Sequence, residues 1–487
     1  MRFPPPGLQG ACLLDDGAPM RRSPLRLILL LALVIRAAGA ERPVSFSSEV
    51  RPILRRSCTG CHQPSKAKGG LDLSTHAALL RGGKHGPAVR PGDPEKSRLV
   101  QDVSGAEPAM PDEGDPLTQA ERRVLSQWVA QGALDDTPPG GVLHQLKAPP
   151  VYDSLPSVAA MAWSPDGGLL AVAGWHEVLL HSAPPRSNAP PRVAGRLVGH
   201  SPRIESIAFS PDGRLLATSG GAPSEYGEIQ VWEVATRTLV RSIRATTDVF
   251  FGISWSPDQK RLAVGGADKM VRVFSAADGT ELMRCDNHID WVFGTSWSRD
   301  GLHLVTAGRD RALKLIDVAT GHLIDDINRP TEALLSLARH PSEDLVACGS
   351  DKGEPRLYRI EPRGGRLGEG DDKEAGFVRP FDRLPGGIQA LGWSPDGSLL
   401  AAGSTSGELR IYKTSDGRKV CSPRWAGGPV FTLGFRPAGD QLAVAGYDGW
   451  VRLFDATTGT LIQEFPSVPL TPTPSPSRNN PSHQATR

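Results

Sequence analysis

Cysteine is scarce in this chain: there are six in 487 residues, and only Cys58 and Cys61 stand close together. That excludes a framework of small disulfide-closed loops. It also excludes a zinc site of clustered thiolates, which would need further cysteines beside the pair. Charge of one sign is missing as well. Lys and Arg total 55 against 53 Asp and Glu, a net of +2, so the balance carries no signal for nucleic acid or an anionic membrane surface. No apolar run is long: the most hydrophobic stretch, residues 27–35, is too short to span a bilayer comfortably. Catalytic signatures are absent too. There is no Ser/His/Asp arrangement with local context, no metal-spaced carboxylate cluster and no phosphate loop. His176, His181, His200, His288, His303, His322 and His340 are scattered and read as surface or structural residues.

What is present begins with a processing signal. Arg21, Arg22 and Arg26 form a basic region, residues 27–35 an apolar core, and Ala38-Gly39-Ala40 a small-residue cleavage site. Residues 1–40 are therefore expected to be a signal peptide, and a start at Met20 would give one of ordinary shape. Arg36 interrupts the end of the apolar region, and an uncleaved anchor is the rival reading. Either way the rest of the chain is expected outside the cytoplasm, exported to the periplasm and, if the segment is retained, tethered to the membrane.

Cys58-Thr59-Gly60-Cys61-His62 is the motif that carries chemistry. Two cysteines three apart on a helical turn can each form a thioether to a haem vinyl group, and the histidine that follows can meet the iron from the same face. A thioredoxin-type redox pair would need a βαβ context, which is lacking, and the next cysteine is Cys285. Upstream, Ser47 or Ser48 is expected to cap a helix bearing Val50, Ile53 and Leu54, with Pro52 tolerable in its first turn. A short helix around 75–80 follows, then an irregular Gly- and Pro-rich run over 82–93. Thr118 and Glu121 form a capping box for a helix to about Gln131, with Val124, Leu125, Trp128 and Val129 on its apolar face. Met110 lies 48 residues after His62 in a loop from which a thioether could reach the open face of the iron. His76 and His85 are the alternative sixth ligands.

As a set, these features resemble the cytochrome c-like domain of planctomycete and verrucomicrobial proteins, over residues 46–133. The matching stretches are Ser57-Cys58-x-x-Cys61-His62, Gly69-Gly70-Leu71-x-Leu73 and Gly82-Gly83-x-x-Gly86-Pro87-Ala88. They continue through Pro91-Gly92-Asp93-Pro94-Glu95-Lys96-Ser97, Met110-Pro111 and Trp128-Val129-x-x-Gly132-Ala133. The family usually shows Met-Pro-Pro where this chain has Met110-Pro111-Asp112, a departure that bears on loop geometry more than on ligation. The resemblance implies one covalent haem c, with Cys58 and Cys61 as thioether positions, His62 as proximal ligand and Met110 as distal ligand. His/Met ligation leaves no open coordination position, so such an iron passes electrons and does not bind substrate.

Beyond a Pro/Gly-rich linker, a unit of strand, Ser-Pro-Asp-Gly-like turn, strand, Gly-rich turn and strand recurs. Its turns begin at Ser164, Ser210, Ser256, Ser298, His340, Ser394 and Arg436, so successive starts lie 46, 46, 42, 42, 54 and 42 residues apart. A period near 40–45 with short strands is that of a β-propeller blade, and seven turns imply seven blades closed into a ring. The units resemble WD repeats, with Gly199-His200 and Val231-Trp232-Glu233 in the second. The Trp-Asp position drifts elsewhere to Ile316-Asp317, Phe454-Asp455, Leu180-His181, Phe274-Ser275, Tyr358-Arg359 and Tyr412-Lys413. Asp268, Asp310 and Asp448 match the family's structural aspartate, and His288 with Asp310 is expected to form a blade-stabilising pair. Insertions at 184–195 and 361–384 read as solvated loops on one rim. The Pro-rich tail reads as disordered by composition. Cys285, Cys348 and Cys421 are expected to be separate thiols.

The expected architecture is multidomain: a small all-α cytochrome c-like domain (41–137), a linker (138–152), an all-β seven-bladed propeller (153–468) and a tail (469–487). The expected function is electron transfer, with the propeller docking redox partner proteins or a multiprotein assembly, and no nucleic acid. The rival is a periplasmic haem-dependent oxidoreductase that binds its substrate in the propeller funnel. A binding and electron-transfer protein fits this sequence better than a catalyst.

Overall fold

The computed structural model of the chain describes residues 42–62, 67–112, 115–137, 145–182, 191–199, 201–328, 331–360 and 376–471. The expected signal peptide and all but the first residues of the tail lie outside them, as do His200 and the insertion segments 183–190 and 361–375.

A few helices come first. A π-helical turn, Phe46–Val50, runs into the helix Arg51–Ser57, with Ser45 as the cap that accepts from the Ser48 amide. The cap is thus Ser45 and not Ser47 or Ser48, because the extra π turn starts the helix earlier than a pure 3.6-residue period suggests. His76–Arg81 is capped by Thr75, and a five-residue helix, Arg98–Asp102, follows. In the last helix, Gln119–Ala130, Thr118 and Glu121 make both bonds of the capping box. One apolar core joins the first and last helices: Phe46, Val50, Leu54, Leu125, Trp128 and Val129 are buried together. Phe46 stacks on Trp128 at 5.3 Å.

Seven four-stranded antiparallel sheets follow, over 161–198, 203–246, 250–285, 292–326, 334–380, 388–421 and 430–466. These blades, numbered 1 to 7, form a seven-bladed propeller. A lone blade leaves both faces wet; here each packs against the next, and seven separate apolar cores fill the seven gaps between neighbours. One of the seven joins Trp163 and Val172 of blade 1 to Ala443 and Leu453 of blade 7, so the ring is closed. Indole hydrogen bonds repeat the pattern: Trp255 Nε1 donates to Ala208 O at 3.0 Å and Trp297 Nε1 to Ser254 O at 3.2 Å, each on the preceding blade. Trp163 Nε1 does the same across the closure, to Gly434 O at 3.0 Å. Beside it, Tyr152 bridges to Leu470, and buried His181 bonds Ser467 O at 3.0 Å.

The turns between first and second strands show why Ser-Pro-Asp-Gly recurs. In blade 2, Ser210 Oγ donates to Asp212 at 2.6 Å and accepts the Leu215 amide at 2.9 Å, which ties both strands to one side chain. Ser164, Ser256, Ser298 and Ser394 repeat this bond to Asp166, Asp258, Asp300 and Asp396. The two blades without serine reach sideways instead, His340 to Gly397 O and Arg436 to Gly167 O, both at 3.2 Å. His288 is the expected structural residue: its Nδ1 lies 2.9 Å from Asp310 and its Nε2 2.7 Å from Thr306 Oγ1. The two insertions are shorter than expected, because residues 192–195 belong to the outer strand of blade 1 and 377–380 to that of blade 5. Cys285, Cys348 and Cys421 are free thiols in three different blades.

Candidate haem-binding site

The helix Arg51–Ser57 ends at the motif and hands its winding on. The Cys58 amide donates to Leu54 O at 2.8 Å, and the Cys61 and His62 amides both donate to Cys58 O. Thr59 turns inward, buried, with its hydroxyl on Arg55 O at 2.9 Å. Cys58, Cys61 and His62 are thereby left lining one side of a cavity of about 540 Å³, a size suited to an organic cofactor. Leu71, Leu73, Ala88, Leu99 and Val103 supply apolar wall, and Arg56, Lys68 and Arg98 supply cations.

His62 is oriented by backbone. Its Nδ1 lies 3.1 Å from Lys68 O. A carbonyl can only accept, so Nδ1 carries the proton and Nε2 presents a lone pair, as metal-ligating histidines do. The loop that supplies this carbonyl is tied back to the motif by Lys68 N on Cys61 O and Leu73 N on His62 O. It is pressed in turn against the hairpin at Gly83. A Cβ there would come within 2.7 Å of Gly69 O, so glycine is what lets the two loops meet.

Met110 lines the same cavity, on the loop after Arg98–Asp102, with its amide on Asp102 O at 2.8 Å. It is 36% exposed among the described residues, an uncovered thioether in a small domain whose other large apolar side chains are mostly packed. Of the two alternative ligands, the structure brings His85 into the cavity and removes His76. His76 Nε2 is held by Ala133 O at 2.8 Å, and its ring packs on Phe46. Burial pushes the Cys58 thiol up to about 11. Sequence reasoning missed the Lys68 carbonyl, because a main-chain acceptor leaves no residue signature. Arg98 was missed because nothing marks its five-residue helix. Among the described residues, no group of three or more His, Cys, Asp or Glu side chains is arranged to hold a bare metal ion.

Comparison with known proteins agrees with this division. Residues 58–114 match the family described as Planctomycete cytochrome C. Residues 192–233, 237–275, 279–317 and 420–455 match WD domain, G-beta repeat, and 337–426 match the Anaphase-promoting complex subunit 4 WD40 domain. Each WD match starts at the outer strand of one blade and ends in the third strand of the next, so the sequence repeat is offset from the structural blade by one strand. The chain therefore joins a planctomycete-type cytochrome c domain to a seven-bladed WD-repeat propeller.

Among individual proteins, the chain is 32% identical over 134 residues to F-box-like/WD repeat-containing protein TBL1X of Mus musculus, covering 26% of this chain and 25% of that protein. It is 25% identical over 240 residues to Periodic tryptophan protein 2 of Arabidopsis thaliana, covering 49% and 25%. The similarity to WD repeat-containing protein WRAP73 of Mus musculus is 33% over 93 residues, covering 18% and 20%. The chain spans about a quarter of the length of these curated relatives.

Proposed function

We propose that this chain is an exported c-type cytochrome that transfers electrons through one covalently bound haem, with its propeller as a docking and scaffold module. The observation that carries the reading is that Cys58, Cys61, His62 and Met110 line one largely apolar cavity, with His62 Nδ1 committed to Lys68 O. This donor set fits haem c. Two thiols stand where vinyl groups are anchored, and imidazole and thioether are the pair that ligates an electron-transferring iron. When bound, the haem supplies a one-electron iron couple.

The protein's residues do the rest. Cys58 and Cys61 would hold the ring covalently, and the Lys68 carbonyl holds the His62 imidazole in the ligating tautomer. Leu71, Leu73, Leu99 and Val103 would exclude water, and Arg56, Lys68 and Arg98 are the lining cations that would be available to the haem carboxylates. Export follows from the basic and apolar segment ahead of residue 41, since the thioether chemistry belongs outside the cytoplasm. The propeller would bring a redox partner protein to the haem and raise its effective concentration there. Export with cytochrome c maturation machinery, followed by a denaturing haem stain, tests the reading. Haem that stays with the polypeptide is expected, and haem lost on denaturation overturns the covalent assignment. Cys58→Ala and Cys61→Ala are each expected to reduce the stain.

A further inference from the structure

The helix that carries the haem motif is also the helix that touches the propeller. Arg55 Nη2 donates to Glu225 O of blade 2 at 2.6 Å, and its guanidinium lies 5.3 Å from the centre of the Tyr226 ring. Arg244, on the outer strand of the same blade, covers that ring at 3.9 Å, so Tyr226 is flanked by two guanidinium groups. Arg51, one turn before Arg55, reaches Arg244 O at 3.5 Å. Beneath them Glu228, fully buried, takes Arg244 Nε at 3.0 Å and the hydroxyls of Ser201 and Ser242 at 2.6 Å each.

Two guanidinium groups thus flank one aromatic ring, a third, that of Arg51, rests on the Arg244 carbonyl, and Glu228 is the buried carboxylate that holds Arg244. Desolvation, and then mutual repulsion with Arg244, lowers the pKa of both Arg51 and Arg55. Cations that have lost water act on a nearby redox centre far more strongly than cations at a wet surface. Arg55 precedes Cys58 by three residues and His62 by seven on the same winding.

We infer that Arg51 and Arg55 are positioning residues that clamp the helix leading into the haem motif onto blade 2 around Tyr226, and that fixing their charges on that helix, Arg55 only three residues ahead of Cys58, raises the reduction potential of the site. The propeller is then half of the redox unit and not a separately swinging module. The inference rests on the haem reading above for its redox half; its docking half stands without it.

The test uses the full chain and three variants, Arg55→Ala, Arg55→Lys and Tyr226→Ala, so that a folding failure on one side of the interface is met by a variant on the other. Small-angle scattering on the haem-free protein reads docking. Potentiometric titration of the loaded protein reads the tuning. Arg55→Ala and Tyr226→Ala are expected to increase the radius of gyration and to lower the midpoint potential. Tyr226→Ala should do so although it removes no charge. Arg55→Lys keeps the charge but loses the planar stack, and should move in the same direction. Unchanged scattering in all three variants overturns the clamp. Expanded scattering with an unchanged midpoint overturns the tuning. A failure to bind haem at all would count against the proposed function, while scattering would still decide the docking.

Discussion

His62 has two ring nitrogens, and the chain commits one of them: Nδ1 meets Lys68 O, leaving Nε2 for a metal. Its counterpart Met110 has no such fixed partner, and His85 stands in the same cavity. Met110→Ala should therefore give a ferrous haem that binds CO, with residual low-spin character contributed by His85. Met110→Ala combined with His85→Ala should be fully CO-reactive. CO-difference spectra check both, and a Met110→Ala protein indifferent to CO would remove Met110 from the ligand set. Cys58 makes a prediction about the haem-free state. With its thiol pushed up to about 11 by burial, little thiolate exists at pH 8, so alkylation by iodoacetamide should be slow until the domain is unfolded. Mass spectrometry after a timed pulse reads this directly, and rapid labelling of Cys58 in the folded domain would contradict it.

Blades rest on their turns, and the turns titrate. Hydroxyl bonds from Ser164, Ser210, Ser298 and Ser394, with backbone amides, hold the carboxyls of Asp166, Asp212, Asp300 and Asp396 below the reference value of 3.8. A carboxyl depressed in the folded state adds stability above its unfolded pKa, and that stability is lost as pH falls through the folded value. Acid unfolding of the propeller should therefore steepen below about pH 4, and Ser210→Ala should be less stable at neutral pH yet lose less on acidification. Denaturant midpoints measured from pH 7 to pH 3 decide this; parallel curves for the two proteins would sink it. His181 adds an earlier effect. Burial lowers its pKa from 6.5, so below that pH the unfolded chain takes up a proton that the folded chain refuses, and stability declines. In the helical domain, Thr118→Ala removes the capping box and should cost about 1 kcal/mol.

These elements also mark how far the sequence could be read. Blade number was legible because one serine must bond an aspartate two residues on and an amide five residues on, which prints Ser-x-Asp at five of the seven turns, three of them in full as Ser-Pro-Asp-Gly. The last helix was legible from its capping box. The start of the first helix was not, because a π turn shifts the cap to Ser45, and Arg98–Asp102 is too short to show a period. In the candidate site, the four donor residues stand in the sequence, but what orients them does not. The Lys68 carbonyl, the Gly83 approach to Gly69 and the Ala133 carbonyl that occupies His76 are all main-chain features. Arg51 and Arg55 give no signal in the sequence because their partners on blade 2 lie 193 and 170 residues away.

At the scale of the molecule, closure and docking decide the behaviour. Every blade owns all four of its strands, so the ring shuts by packing, by the Trp163–Gly434 bond and by the Tyr152–Leu470 bridge rather than by an exchanged strand. Trp163→Ala empties that seam and should cost about 3 kcal/mol or more, whereas Trp175→Ala, at a half-exposed side chain, should stay within roughly 0.5 kcal/mol. Equal denaturation midpoints for the two variants would contradict ring closure at blades 1 and 7.

The central claim is that the helical domain of this chain would hold one haem covalently through Cys58 and Cys61, with His62 and Met110 as its two ligands. The most direct measurement is a visible spectrum of the exported, purified protein in three states: oxidised, reduced, and reduced under CO. A haem that stays with the chain on denaturation, is low-spin in both redox states and is unmoved by CO is the predicted result. A haem that dissociates, or a ferrous spectrum that shifts under CO, would contradict it.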